Sequence, residues 1–172
     1  MNRALMALAT LLLCLGTLFA GQAKTTEQLA KEVRHEIVML PWYGVFDYLK
    51  FSMVGNDVTL EGEVTNPALK SQAGNVVRHI KGIGIVSNKI EVLPPSPMDF
   101  RLRMQLYKAI YRFPPLGRYA MPPVKPIRII VKNGNATLEG VVDNEGDKEL
   151  VFIRANGVPG LFSVTNDLVV GE

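Results

Sequence analysis

Apolar residues recur along this chain with two different periods, and the periods follow one another in a fixed order. Leu29, Val33, Ile37 and Leu40 lie three or four apart, behind a capping Thr25 or Thr26 and ahead of Pro41, which predicts a helix with one buried stripe. Leu49, Phe51 and Met53 then alternate with more polar positions. Gly55-Asn56-Asp57 turns the chain, and Val58, Leu60 and Val64 continue on a return strand. Asn66 and Pro67 open a second helix with Leu69, Ala73, Val76, Val77 and Ile80 on its inner face, ended by Gly82. A closing strand is expected over 83–93. The same order then returns. Ser96 and Pro97 open a helix with Leu102, Leu106, Ala109, Ile110 and Phe113 in its stripe, stopped by Pro114. Ile127, Ile129 and Val131, the turn Asn133-Gly134-Asn135, and Leu138 and Val142 predict a second hairpin. The next helix is less regular, because Asp147 and Arg154 stand where Leu69 and Val76 stood; it ends at Gly160, and a strand over 161–170 closes the copy.

The return is literal in places. Thr59-Leu60-Glu61-Gly62 reappears as Thr137-Leu138-Glu139-Gly140, and a spacing of 78 residues holds from Leu49 and Ile127 to Val92 and Val170. In the first helices the spacing is 73, from Leu29 to Leu102 and from Pro41 to Pro114, so the second copy carries an insertion in the proline-rich stretch Pro114 to Pro126. A chain that repeats itself is two copies of one module. Residues shared by both copies are therefore expected to serve the fold, and those in one copy are the better functional candidates. Each copy reads αββαβ. A right-handed strand–helix–strand crossover gives an α+β fold of two tandem modules, each a small mixed three-stranded sheet packed on two helices. Pro94, Pro95 and Pro97 form a short stiff linker, so the expected division is a leader at 1–23 and domains at 24–95 and 96–172. Gly62 and Gly140, inside strands, mark a bulge or a close backbone approach, whereas Gly82 and Gly160 end helices.

Gly55-Asn56-Asp57-Val58-Thr59-Leu60-Glu61-Gly62, Ile80-Lys81-Gly82-Ile83 and Val86-Ser87-Asn88-Lys89-Ile90 together resemble the BON domain (bacterial OsmY and nodulation). The second copy carries the same set from Asn133 to Leu168. The resemblance implies a tandem periplasmic envelope protein that is not an enzyme, of a kind linked to phospholipid surfaces and envelope integrity. It supplies no catalytic residues and no cofactor.

The first 23 residues read as a signal peptide: Arg3, an apolar run from Ala4 to Phe19, and Gly21-Gln22-Ala23 as the cleavage site. Cys14 is the only cysteine, and Leu13 stands where a lipoprotein signal wants a small residue. The exported chain therefore has no thiol or disulfide chemistry.

Charge separates the copies. From Lys24 to Pro95 eight basic residues balance eight acidic ones; from Asp99 to Lys132, Arg101, Arg103, Lys108, Arg112, Arg118, Lys125, Arg128 and Lys132 face Asp99 alone. On a helical wheel Arg101, Lys108 and Arg112 share one flank, with Met104, Tyr107 and Tyr111 expected on the outward face beside them. A basic flank next to exposed aromatic and thioether groups suits the headgroup boundary of an anionic bilayer. The candidate lipid- or anion-binding residues are thus Arg101, Met104, Lys108, Tyr111 and Arg112, and the partner is an anionic phospholipid surface, with envelope proteins as further partners. The competing reading is a chaperone-like or scaffold module that uses apolar surface or a free strand edge. Trp42, Tyr43 and Phe46, between the first helix and first strand, are expected to form a lid over a small core; an inter-repeat contact and a membrane wedge are the alternatives.

Catalysis and metal binding find little footing. His35 and His79 lack a second-copy counterpart and a two-ligand spacing, and Glu61 and Glu139 follow the repeat. No phosphate loop, serine elbow, metal signature or nucleic-acid motif is present.

Overall fold

The computed structural model describes residues 24–171. The expected signal segment, Cys14 and the cleavage point at Ala23 lie outside the described residues. The first copy consists of α1 (Thr26–Val38), β1 (Tyr48–Val54), β2 (Asp57–Val64), α2 (Pro67–Arg78), β3 (Val86–Asn88) and β4 (Glu91–Val92). The second consists of α3 (Pro97–Tyr111), a 3-10 helix (Pro114–Ala120), β5 (Ile127–Lys132), β6 (Asn135–Val142), α4 (Glu145–Asn156), β7 (Ser163–Asn166) and β8 (Val169–Val170).

Three of these helix starts are set by residues the sequence singled out, and the fourth by Asn144, the counterpart of Asn66 in the 78-residue register. Thr25 forms a capping box with Gln28, and Ser96 Oγ accepts from the Asp99 amide at 3.1 Å. Asn66 and Asn144 cap α2 and α4 by accepting from the amides of Ala68 and Asp147, both at 2.9 Å. Each copy buries its apolar stripe against one sheet face. Val33, Ile37, Leu69, Ala73 and Val77 meet Leu49, Val58, Leu60, Val64 and Ile90 in the first. Leu102, Leu106, Ile110, Val151 and Ala155 meet Ile127, Ile129, Val131, Leu138 and Leu168 in the second. A fully buried Leu or Ile contributes about 2 kcal/mol, so these clusters hold two modules that have no disulfide.

β1 and β2 are antiparallel with Leu49 opposite Gly62, and β5 and β6 repeat this with Ile127 opposite Gly140. The closing segments run parallel to the central strand, Val58 beside Val86 and Ala136 beside Val164. Each closing segment was expected to be one strand but is broken in two, into β3 and β4 and into β7 and β8. The break lies beside the repeated glycine. Gly62 and Gly140 have φ of 114° and 111°, and a Cβ there would overlap the carbonyl oxygen of Tyr48 or Pro126. The first sheet absorbs the kink by turning the Ile90 amide onto the side chain of Asn88 at 3.2 Å. The other repeated asparagine role is a tether. Asn88 Nδ2 donates to the Lys70 carbonyl at 2.7 Å and Asn166 Nδ2 to that of Lys148 at 3.0 Å, tying helix to closing strand identically in both copies.

The copies touch through the loop before β1. The Asp47 carboxylate is buried and accepts from the Gly44 amide, the Thr65 amide and the Thr65 hydroxyl at 2.9, 2.6 and 2.8 Å. So anchored, the loop places Val45 and Phe46 against the second core, and the Val45 carbonyl accepts from the Ile129 amide at 2.9 Å. Arg128 donates to the Gly44 carbonyl at 2.7 Å and lies 4.3 Å over the ring of Tyr43. The expected lid holds for Tyr43 alone, which packs on the first core; Phe46 instead makes the inter-repeat contact, and Trp42 is 80% exposed with φ of 70°.

Candidate functional site: the first helix of the second copy

α3 presents three distinct faces. The stripe of Leu102, Leu106 and Ile110 is buried as expected, with Ala109 and Phe113 packed on it. A second row, four residues apart in its repeat, runs along the outer edge of β5. Asp99 accepts from the amides of Asn133 and Gly134 at 3.0 and 2.8 Å, Arg103 donates to the Val131 carbonyl at 2.6 Å, and the Tyr111 hydroxyl donates to the Ile127 carbonyl at 2.5 Å. Together with Val45 on the Ile129 amide, this row occupies the strand edge that would otherwise pair with another chain.

That row overturns part of the sequence reading. Tyr111 was expected on the outward face but is only 5% exposed, and Tyr107 is half-buried, stacked at 5.0 Å on Tyr111 and edge-on to Phe46 at 6.3 Å. The reason is the strand edge: a helix lying beside unpaired carbonyls turns its hydroxyl toward them, because a buried unpaired carbonyl is costly. Burial raises the Tyr111 hydroxyl well above the ordinary phenol range, which keeps it a donor at any physiological pH. Burial also lowers the Arg103 guanidinium, partly offset by Asp99 and Asp47.

The third face holds Arg101, Lys108 and Arg112, all exposed, with half-buried Met104 beside them. Arg101 also approaches the sulfur of Met98 at 3.6 Å. Met98 and Phe100, 44% and 56% exposed, are the large apolar side chains that α3 leaves open to solvent. The other five cations of the basic stretch are used internally. Arg103 and Arg128 bind backbone carbonyls, Lys125 donates to the carbonyls of Ala120 and Pro122, Lys132 pairs with Glu91 at 2.6 Å, and Arg118 pairs with Asp143 and Asp147. Arg101, Lys108 and Arg112 have no carboxylate partner among the described residues.

The insertion is also accounted for. Asp147, buried at the start of α4, accepts from the Tyr119 hydroxyl at 2.5 Å, from Arg118, and from Asn144 Nδ2 at 3.0 Å. Arg154 donates to the Ala109 carbonyl at 3.2 Å and covers the Phe113 ring at 4.6 Å. The two residues that made this helix look irregular hold the 3-10 segment and the end of α3. Asp99, Arg103 and Arg128 were missed as key positions: Arg128 matches its counterpart Lys50 in charge, and Asp99 and Arg103 read as ordinary helix surface, whereas Asp147 was already marked by standing in place of Leu69.

Elsewhere, His35 and His79 share a shallow groove between α1 and α2 with Glu32 and Glu36. No group of three or more potential metal ligands occurs among the described residues. Glu61 and Glu139 occupy different surroundings. Glu139 is raised above the ordinary carboxylate range by burial and by Asp167, with Lys50 of the first copy acting the other way.

Against known families, the BON domain model matches twice, over residues 25–94 and 116–172. The chain belongs to the BON domain family. The second match begins after α3. The BON domain is a binding-type module rather than a catalytic one. No curated protein matches this chain. Two of the matching solved structures are of CdsD, the structural protein of the type III secretion system of Chlamydia trachomatis. One is 14% identical, covering 84% of this chain and 93% of that one at a TM-score of 0.29. The other, of the C-terminal domain, is 15% identical, covering 84% and 98% at the same score. A likeness at that score carries no argument about function.

Proposed function

We propose that this tandem BON protein is a non-enzymatic envelope component that attaches weakly and reversibly to anionic phospholipid surfaces through Arg101, Lys108 and Arg112, and so supports envelope integrity. The observation that carries it is selective: the internal contacts consume five of eight cations in the basic stretch and leave these three on one exposed flank. Each is worth about 1 kcal/mol near an anionic surface, so together they give about 3 kcal/mol, to which Met98 and Met104 add by partial insertion. Tyr111 is withdrawn from the site, since its hydroxyl is committed to the Ile127 carbonyl. Family membership supports an envelope-associated module. Within this reading residues 1–23 are a signal peptide cleaved near Ala23, with domains at 24–95 and 96–172; mass spectrometry of envelope-fraction protein checks the start.

Co-sedimentation of the exported chain with phosphatidylglycerol-containing vesicles at low salt should recover bound protein, and phosphatidylcholine vesicles should recover little. Binding should fall steeply as salt shortens the Debye length from about 30 Å to about 8 Å. Equal recovery on both vesicles, or binding indifferent to salt, refutes the proposal.

A further inference from the structure

Between the two copies lies an open cleft of about 470 Å³, a size common for small-molecule sites. Ile37, Leu49 and Phe51 contribute apolar wall from the first copy, and Val124, Pro126 and Val141 from the second. Its charged lining is of one sign. Arg34, Lys50, Lys125 and Arg128 line it, and among the described residues no aspartate or glutamate does. Arg128 is the most telling of these. It is 6% exposed, its recorded polar contact is the Gly44 carbonyl, and no carboxylate lies within ion-pair distance of it among the described residues. Glu139 sits opposite it in the strand register, but Lys50 is the cation that acts on the Glu139 carboxylate. Lys125 likewise binds two neutral carbonyls, at 2.8 and 2.6 Å, and has no carboxylate partner among the described residues. A buried cation without a counter-ion is costly, and the further cations lining the same cleft add to the local positive field.

We propose that this cleft binds one amphipathic anion, a single acyl chain with a carboxylate or phosphate head. The head would meet Arg128 and its neighbours while the chain lies along the apolar wall. The site is separate from the exposed flank of α3 and binds a single molecule rather than a surface. It stands or falls independently of the surface attachment proposed above.

The test uses the exported chain and three probes below their micelle-forming concentrations: laurate, a lauroyl lysophosphatidate, and dodecyltrimethylammonium, with inorganic phosphate as a fourth arm. Isothermal titration should show laurate or the lysophosphatidate binding one per chain. The better of the two identifies the head, and dodecyltrimethylammonium and phosphate should bind at least tenfold more weakly. Arg34→Gln with Lys50→Gln, both exposed and outside the cores, should weaken the bound amphiphile about tenfold or more. The R101Q/K108Q/R112Q protein should bind it like the parent. The proposal is overturned if neither anion binds, if the cationic amphiphile binds equally well, or if the Arg34 and Lys50 double variant keeps parental affinity.

Discussion

Gly62 and Gly140 are each positioned so that a Cβ would meet a neighbouring strand's carbonyl oxygen, at a φ that side chains avoid. Gly62→Ala and Gly140→Ala should each cost at least about 2 kcal/mol by thermal or denaturant unfolding, and similarly in the two copies, since the geometry is repeated. Tyr111→Phe separates structure from attachment. Losing the bond to the Ile127 carbonyl should cost about 1–3 kcal/mol of stability, while recovery on anionic vesicles stays at the parental level. Reduced recovery with unchanged stability would return Tyr111 to the surface site. Glu139 gives a pH-dependent outcome. Its folded carboxyl titrates above the unfolded value, so the stability it contributes is present below the ordinary glutamate range and is lost as pH rises through the folded value. Glu139→Gln should therefore raise the Tm at pH 7 to 8, and the advantage should disappear near pH 4. These residue roles differ in legibility. The glycines and asparagines could be read because duplication marks them, whereas Asp99, Arg103 and Tyr111 could not, because nothing local says that a strand edge lies beside the helix.

Among elements, the apolar periods placed the four α-helices of the described residues and both hairpins but not the 3-10 helix, and the matching strand registers show why the 78-residue spacing survives. What the periods miss is compensation between elements. A proline-rich insertion in one copy and an irregular helix 28 residues on from Tyr119 are one feature, since Asp147 holds Tyr119 and Arg118. Asp147→Ala should cost about 1–3 kcal/mol by leaving the buried Tyr119 hydroxyl without its acceptor. It should also speed proteolysis between residues 112 and 126 relative to the parent, which limited digestion followed by mass spectrometry reads directly. Unchanged cleavage there would show that the segment is held by Leu116 packing alone. The split closing strands have the same kind of cause: their interruption is dictated by a glycine on the adjacent strand, which is invisible to a reading of either strand alone.

In the whole molecule, one row of α3 closes the β5 edge, another fills the second core, and the third faces outward with cations that have no carboxylate partner among the described residues. The sequence showed the positive stretch but not its division, because five of its cations are spent on carbonyls and carboxylates that only the fold brings near. No described helix is long and apolar enough to cross a membrane, and the attachment proposed here needs none. The central claim is that position, and not net charge, makes these three cations the contact. The decisive measurement is binding to phosphatidylglycerol vesicles at low salt for R101Q/K108Q/R112Q beside K70Q/K81Q/K89Q, which removes the same charge from the first copy. The α3 variant should lose roughly 100-fold in affinity, about 3 kcal/mol, while the control keeps most of the parental binding and both remain folded. Equal binding by the α3 variant and the parent, or an equal loss in both variants, would contradict it.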